Sequence, residues 1–271
     1  MAISEPPGRG AIDLRSDVPH PARIYDYWLG GKDNFAADRE AAEAVIAVRP
    51  TVVRDIRANR AFLRRAVAWL ASEAGIGQFL DIGTGIPTKP NVHEIVQSAI
   101  PSARIVYVDN DPIVLSHARA LLASSPEGET AYIDADLREP AKILAQAAGT
   151  LDFTRPAALL LVGVLHLISP DEDPEGIIEQ LMATLAPGSY LVVNAPASDV
   201  HAEVAAEGAR RLADRGSTPV TRRTRAEVAG FLAGLELVEP GVVQTHRWHP
   251  DPGISTDEYE VSAWAAVGRK N

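Results

Sequence analysis

The chain has no cysteine, which excludes disulfide bridges and thiolate metal sites. It has no hydrophobic run near the roughly 20 residues that a membrane-spanning helix needs. The longest such run, 157–164, has the length of a strand. Nor is there a dense basic run. With a formal net charge of -10, duplex nucleic acid is not an expected partner, although Arg222, Arg223 and Arg225 stand close together. No internal repeat and no low-complexity block interrupts the sequence. Lysine occurs only at positions 32, 89, 142 and 270, while arginine and alanine abound, a pattern that fits a GC-rich bacterial genome. Residues 1–19 are rich in proline, glycine and charge and lack the apolar centre of a signal peptide. Residues 1–20 are therefore expected to be a flexible tail on a cytoplasmic protein. Small molecules are the partners these absences leave.

What is present describes one α/β domain, with a helical cap segment over 21–74 and a core over 75–271. At 271 residues and 46% apolar composition the chain can bury a large core. A helix is expected over 57–69, with Ile56, Leu63, Val67 and Leu70 on one side and Arg57, Arg60, Arg64 and Arg65 around the remainder. From there strands at 78–82, 104–109, 130–135, 157–164 and 190–194 alternate with helices at 92–99, 112–123, 140–148 and 174–185. Such alternation implies a doubly wound parallel sheet covered on both faces. Asn91 with Glu94, and Thr224 with Glu227, have capping-box spacing. Beyond position 235 the rhythm changes. Two strands, 236–243 and 260–267, joined by a Pro-rich loop at 246–253, are expected to form an antiparallel pair at the sheet edge.

The densest signal is Phe79-Leu-Asp-Ile-Gly-Thr-Gly-Ile-Pro87, followed by Tyr107-Val-Asp-Asn-Asp-Pro112. A strand runs into Asp81 and a two-glycine turn, and the next strand ends in Asp109. Together they describe a pocket for a nucleoside-bearing cofactor at the carboxyl ends of parallel strands. Gly83 and Gly85 let the backbone turn tightly and approach a ligand. A dinucleotide fingerprint would place a third small residue where Thr88 stands, and the Asp81 carboxylate would repel a pyrophosphate but attract an ammonium group. These two features weigh against a nicotinamide-dependent oxidoreductase and favour S-adenosylmethionine, whose ribose hydroxyls Asp109 would accept from. A helix cap is the plainer reading of Asp109, but Asp111 before Pro112 already fills that role. For Asp81 the plainer reading is bonding to turn amides.

Here the residues carry a resemblance. The alternating core with Asp81-x-Gly-x-Gly85, Asp109, Asp136 and Ala186-Pro-Gly-Ser189 resembles class I S-adenosylmethionine-dependent methyltransferases. That resemblance implies a Rossmann-like, seven-stranded, mostly parallel sheet whose last strand is antiparallel. The segment Pro21-Ala-Arg-Ile-Tyr-Asp-Tyr-Trp-Leu-Gly-Gly-Lys-Asp-Asn-Phe-Ala-Ala-Asp38 is similar to the opening of an actinobacterial family of S-adenosyl methyltransferases, long known as a domain of unknown function. With Gly83-Thr-Gly-Ile-Pro-Thr88, Asn91-Val-His-Glu94 and Gly268-Arg-Lys270, the likeness spans about 21–270. It implies that Gly83, Thr84 and Gly85 line the methionine portion, that Asp109 and Asn110 face the ribose, and that Asp136 with the Leu137 amide borders the adenine. Asp136 as a carboxylate bonded to its own turn is the alternative.

The segment 25–38 has the make-up of a ligand-covering loop between helices. Tyr25 and Trp28 either face the sulfonium cation or pin the cap to the core. Gly30, Gly31, Lys32 and Asn34 form the polar break, with Lys32 a candidate partner for the cofactor carboxylate. Methyl transfer is an in-line displacement that requires no protein nucleophile. A base for an acceptor hydroxyl would be His166, at a strand end, unless that histidine is structural. No set of two histidines and a carboxylate has metal-ligand spacing. A small-molecule methyltransferase is the leading reading, and a non-catalytic protein that binds or senses S-adenosylmethionine or another nucleoside stays open beside it.

Overall fold

The computed structural model of the chain describes residues 15–114 and 124–271. Five parallel strands, β1 (Gln78–Ile82), β2 (Arg104–Asp109), β3 (Glu129–Asp134), β4 (Ala158–Val162) and β5 (Tyr190–Pro196), lie in the order 3-2-1-4-5. Their period-two alternation sorts the core. Leu80, Ile82, Val106, Val108, Leu159 and Leu161 turn to one face, which the helices α5 (Pro140–Ala147) and α6 (Pro174–Thr184) cover with Ile143, Leu144, Ile178 and Leu181. Phe79, Ile105, Tyr107, Leu160 and Val192 turn to the other face, against Phe62, Leu63 and Val67 of α3 (Val52–Ser72) and Val92 and Val96 of α4 (Val92–Ala99). With both faces buried, β4 reads Ala-Leu-Leu-Leu-Val, without polar alternation.

Chain order reverses between β1 and β4, which are paired directly, so a crevice opens at the carboxyl ends of these two strands. A separate apolar cluster sits above it. Ile24 and Trp28 of α1 (Pro21–Leu29), Ala41, Ala42 and Val45 of α2 (Ala36–Val48) and Leu212 of α7 (Ala202–Ala213) pack together there. The expected capping boxes are present. Glu94 Oε2 accepts from the Asn91 N–H at 2.6 Å, and Glu227 Oε2 accepts from the Thr224 N–H at 2.6 Å at the start of α8 (Arg225–Gly230). No helix among the described residues is long and apolar enough to cross a membrane.

Several expectations need correction. The sheet holds eight strands among the described residues, not seven. Pro240 has no N–H to give a ladder and the Gly241 N–H turns back to the Val238 carbonyl at 2.9 Å, so the strand expected over 236–243 is broken. Its pieces, β6 (Glu236–Leu237) and β7 (Val243–Gln244), pair separately with β8 (Ala263–Arg269). β8 runs antiparallel to β5, with Tyr190 opposite Arg269 and Pro196 opposite Ala263, as the resemblance implied. Helix α7 was not foreseen, although its Ala205, Gly208 and Leu212 fall on one buried side. Tyr25 and Trp28 belong to α1 rather than to a covering loop, which is confined to the short link between α1 and α2. Of the helix expected over 112–123, residues 112–114 are helical and the rest lie outside the described residues, as do residues 1–14 of the expected tail.

Trp248 joins α3 to the sheet edge. It is fully buried, edge-on to Phe62 at 5.6 Å and to Trp69 at 6.1 Å. Trp248→Ala is expected to cost ~3–5 kcal/mol in urea unfolding, and an unchanged midpoint would show that the contact contributes nothing.

Candidate cofactor site

The turn after β1 is drawn onto β2 by its own backbone. The Gly83 N–H donates to the Val108 carbonyl at 2.8 Å, and Thr84 Oγ1 donates to the Asp81 carbonyl at 3.0 Å. Gly83 has φ +75°, and a Cβ there would fall 2.5 Å from the Val164 Cβ, so both backbone and space demand glycine. Gly85, at φ +67°, has nothing within 4 Å of where its Cβ would stand. Its N–H donates to Asp109 Oδ2 at 2.7 Å, while Asp109 Oδ1 accepts from the Asp111 N–H at 2.9 Å. Asp111 in turn accepts from the Ile113 N–H at 2.8 Å, the capping role expected of it.

Over this turn lies a cavity of ≈ 220 Å³, closed by α1 and by Asn59, Arg60 and Leu63 of α3. Of the residues singled out in the sequence, Tyr25, Gly83, Thr84, Gly85, Asp109, Asn110, Asp136, Leu137 and His166 line it. Asp136 stands at the far rim, where Oδ2 accepts from Asn110 Nδ2 at 2.8 Å and Oδ1 from the Arg138 N–H at 2.9 Å. The bond to its own turn thus exists alongside its place on the cavity wall. Arg138 closes this rim by donating to the Leu167 carbonyl at 2.8 Å and to Glu172 at 2.5 Å.

Six of the singled-out residues are not brought to the wall, among them Trp28, which packs in the cap cluster. Asp81 is buried beneath the wall, on the α3 side of the sheet. Gly30 ends α1, its N–H bonded to the Tyr27 carbonyl at 2.9 Å. Gly31 leaves room for Asp26, whose Oδ1 would lie 1.9 Å from a Cβ at that position. Asn34 Nδ2 and the Asp33 N–H both donate to Asp26 Oδ2 at 2.9 Å. The polar combination between the helices therefore organises itself around Asp26, which does line the cavity. Lys32 is exposed and lies off the cavity wall, so the place expected for it beside the cofactor carboxylate is not where the fold puts it.

Arg60, by contrast, does line the cavity. Its guanidinium donates to the carbonyls of Pro90, at 2.8 Å, and Thr88, and its Nε is buried without a hydrogen-bond partner among the described residues. The sequence held a signal for it: Arg60 is four residues after Ile56 and three before Leu63, on the apolar side of its helix rather than the remainder. Asn59 was missed with it. Burial pushes the Asp81 carboxyl up to about 7, with Arg60 opposing the rise and Asp109 adding to it. Burial also raises the Asp109 carboxyl, against the two amides that hold it, and pushes the Tyr25 hydroxyl up to about 12. His166 is pulled down to about 4 by burial alone, and its Nδ1 has no hydrogen-bond partner among the described residues.

The donor set fits S-adenosylmethionine. A glycine turn open to the cavity, a guanidinium at one end, a carboxylate with unused lone pairs in the middle and a polar loop at the other end match a carboxylate, a ribose and an adenine in that order. Sheet order, antiparallel last strand and cavity together define the class, a Rossmann-like class I methyltransferase fold. Residues 8–271 match the model of a family described as S-adenosyl methyltransferase. The chain is 47% identical to a DUF574 family protein from Streptomyces avermitilis, covering 96% of this chain and 100% of that one, with a TM-score of 0.92. A structure described as a putative methyltransferase from Thermobifida fusca is 42% identical over 95% of this chain and 97% of its own, with a TM-score of 0.88. An O-methyltransferase family protein from Burkholderia thailandensis, 14% identical, covers 95% of this chain and 66% of its own at a TM-score of 0.52, a likeness of fold. No curated protein matches the chain. The chain belongs to the S-adenosyl methyltransferase family; it is an S-adenosylmethionine-dependent methyltransferase, and S-adenosylmethionine is its cofactor.

The Asp81 carboxyl is held above its ordinary 3.8, so between about pH 4 and about pH 7 the folded chain keeps a proton that the unfolded chain releases. The stability this group contributes is present below about pH 4 and lost as pH rises through about 7. Urea midpoints are expected to fall between about pH 5 and about pH 8, and to fall less in Asp81→Asn. The same fall in both proteins would remove Asp81 as its source.

Proposed function

We propose that the chain transfers the methyl group of S-adenosylmethionine to a small molecule. The observation that supports this is the partial cover of the crevice: α1 and α3 lie over it, so an acceptor would meet the cofactor in a cleft of ≈ 220 Å³ suited to a small ligand. Residues 83–85 would lie along the methionine portion, with Arg60 toward its carboxylate. The ammonium group would face the acidic ground formed by Asp109 and the underlying Asp81. Asp109 and Asn110 would take the ribose, and Asp136 with the Leu137 N–H the adenine. When bound, the cofactor supplies a methyl carbon on a cationic sulfur, open to in-line displacement.

The chain's own contribution is alignment and the exclusion of water. His166 is neutral at physiological pH, because burial alone holds its pKa near 4. A ring of that low basicity is a poor general base, but its buried nitrogen accepts a hydrogen bond from an acceptor and so fixes its direction. His166→Gln is expected to lower kcat/KM without changing the shape of its pH profile. A limb near pH 6.5 that vanishes in the variant would make His166 the base after all.

Calorimetric titration tests the cofactor assignment residue by residue. S-adenosylmethionine and S-adenosylhomocysteine are expected to bind and NAD is not. Asp109→Ala should weaken S-adenosylhomocysteine by at least about tenfold, because hydrogen bonds to a charged group contribute roughly 1.5–3 kcal/mol each. Circular dichroism of the variant separates lost binding from lost folding. Unchanged affinity would remove Asp109 from the ribose. Release of S-adenosylhomocysteine on incubation with an extract of candidate acceptors tests turnover, and failure across fractions of small molecules would count against this class of acceptor.

A further inference from the structure

A second chamber, of ≈ 120 Å³, adjoins the cofactor cavity under the cap helices. Its walls are chiefly apolar: Ile24 and Trp28 from α1, Val45 from α2, Leu212 from α7 and Val220 beyond it. The two spaces share Pro21, Tyr25, Asn59, Gly163 and His166, so they meet between α1, α3 and the end of β4. At this junction Asn59 Oδ1 and His166 Nδ1 are both buried and without a hydrogen-bond partner among the described residues. Buried polar atoms are ordinarily satisfied, so two unsatisfied ones at one junction mark a place for a ligand group. Asn59 Oδ1 can only accept. The ligand group facing it must therefore donate.

The charged groups of the chamber are already engaged. Arg49 is paired with Asp55, and Arg222 donates to the carbonyls of Ala202 at 3.1 Å and Ser198 at 3.3 Å. An ammonium group entering this chamber would lose its water without gaining a partner, since Asp55 is already paired, and a carboxylate would have only Arg222, whose guanidinium is already bonded to two carbonyls. We propose that the chamber holds the methyl acceptor and that this acceptor is a small, uncharged, largely apolar molecule whose hydroxyl or N–H points at Asn59 Oδ1 and His166 Nδ1. The inference rests on the methyltransferase reading above. The donor group stands at the junction with the cofactor cavity and is the one methylated. Its oxygen or nitrogen forms the bond to the methyl carbon, the carbon–sulfur bond breaks with its electron pair going to sulfur, and the proton, acidified once the acceptor atom is methylated, leaves past His166 Nδ1 to bulk water outside the cleft.

Three ring-sized probes of matched shape test this by ligand-observed NMR titration of the full chain saturated with S-adenosylhomocysteine. p-Cresol carries a hydroxyl, toluene carries no donor and 4-methylbenzoate carries a negative charge. p-Cresol is expected to bind at least about tenfold more tightly than toluene, and 4-methylbenzoate more weakly than p-cresol. Ala209→Phe, which fills the chamber from α7, should abolish p-cresol binding while S-adenosylhomocysteine affinity stays within about twofold, and that retained affinity also reports an intact fold. Asn59→Leu should erase the preference for p-cresol over toluene. If Ala209→Phe fails to fold, Asn59→Leu decides. Equal binding of p-cresol and toluene to the native chain, p-cresol binding that survives Ala209→Phe, or tighter binding of the benzoate would each overturn the inference. Failure of S-adenosylhomocysteine itself to bind the native chain would instead sink the methyltransferase reading.

Discussion

Asp109 accepts one backbone N–H from Gly85 at 2.7 Å and another from Asp111 at 2.9 Å, and so ties the glycine turn after β1 to the end of β2. Every other feature of the cavity is set relative to that bridge. It holds the Gly85 backbone open to the cavity, and it carries the chain toward Asp111, whose own carboxylate caps the turn that follows and pairs with His20 at 2.9 Å. His20 stands at the start of α1, which roofs the cavity, so floor and roof are joined through two consecutive acidic contacts. The bonds from two amides also lower the cost of keeping a carboxylate in a place where it is only 7% exposed. The residue proposed to bind the sugar of the cofactor is thus also the residue that shapes the turn before any cofactor arrives, a preorganisation that would spare the ligand the cost of ordering it.

The charge arrangement follows the same economy. Asp109 lies close enough to raise the cost of ionising Asp81, and Arg60 is the cation set against Asp81. Asp109 is instead faced by His20. Bringing in a zwitterion adds an ammonium group near the carboxylates and a carboxylate near the guanidinium, which improves every pairing at once. A pyrophosphate would add negative charge beside Asp109 and gain little from a single arginine. On the proposed reading, the preference for an amino-acid-bearing nucleoside over a dinucleotide would lie in the sign pattern of Asp81, Asp109 and Arg60, beyond the shape of the glycine turn.

The strands and the cofactor turn were legible in the sequence because their signals are local. Short continuous apolar runs, glycines flanking Thr84 and carboxylates at strand ends need no knowledge of distant residues. What escaped was tertiary. Asp26 gathers Gly31, Asp33 and Asn34 into one hydrogen-bonded knot, and nothing in the spacing of these residues distinguishes a knot from a ligand-binding loop. Lys32 looked suited to a carboxylate because it is the one cation in that segment's polar break, whereas Arg60 was hidden among the five arginines of α3 although its position between Ile56 and Leu63 put it on the buried side. The extra strand came from a proline inside an apolar run, a breaker whose effect was readable but was outweighed by the residues around it.

The two halves of the chemistry belong to different parts of the chain. Residues that would hold the cofactor come mainly from strand ends and their turns, the part of a doubly wound fold whose geometry is fixed by the sheet. The second chamber is instead walled largely by α1, α2 and α7, whose apolar residues form a cluster distinct from the two that cover the sheet faces. Changing a side chain in that cluster alters the chamber while leaving β1, β2 and the bridge at Asp109 untouched. The cap is thus the part of the structure on which acceptor choice can vary, and the buried pair Asn59 and His166, one from α3 and one from the end of β4, is where the varied half meets the fixed one.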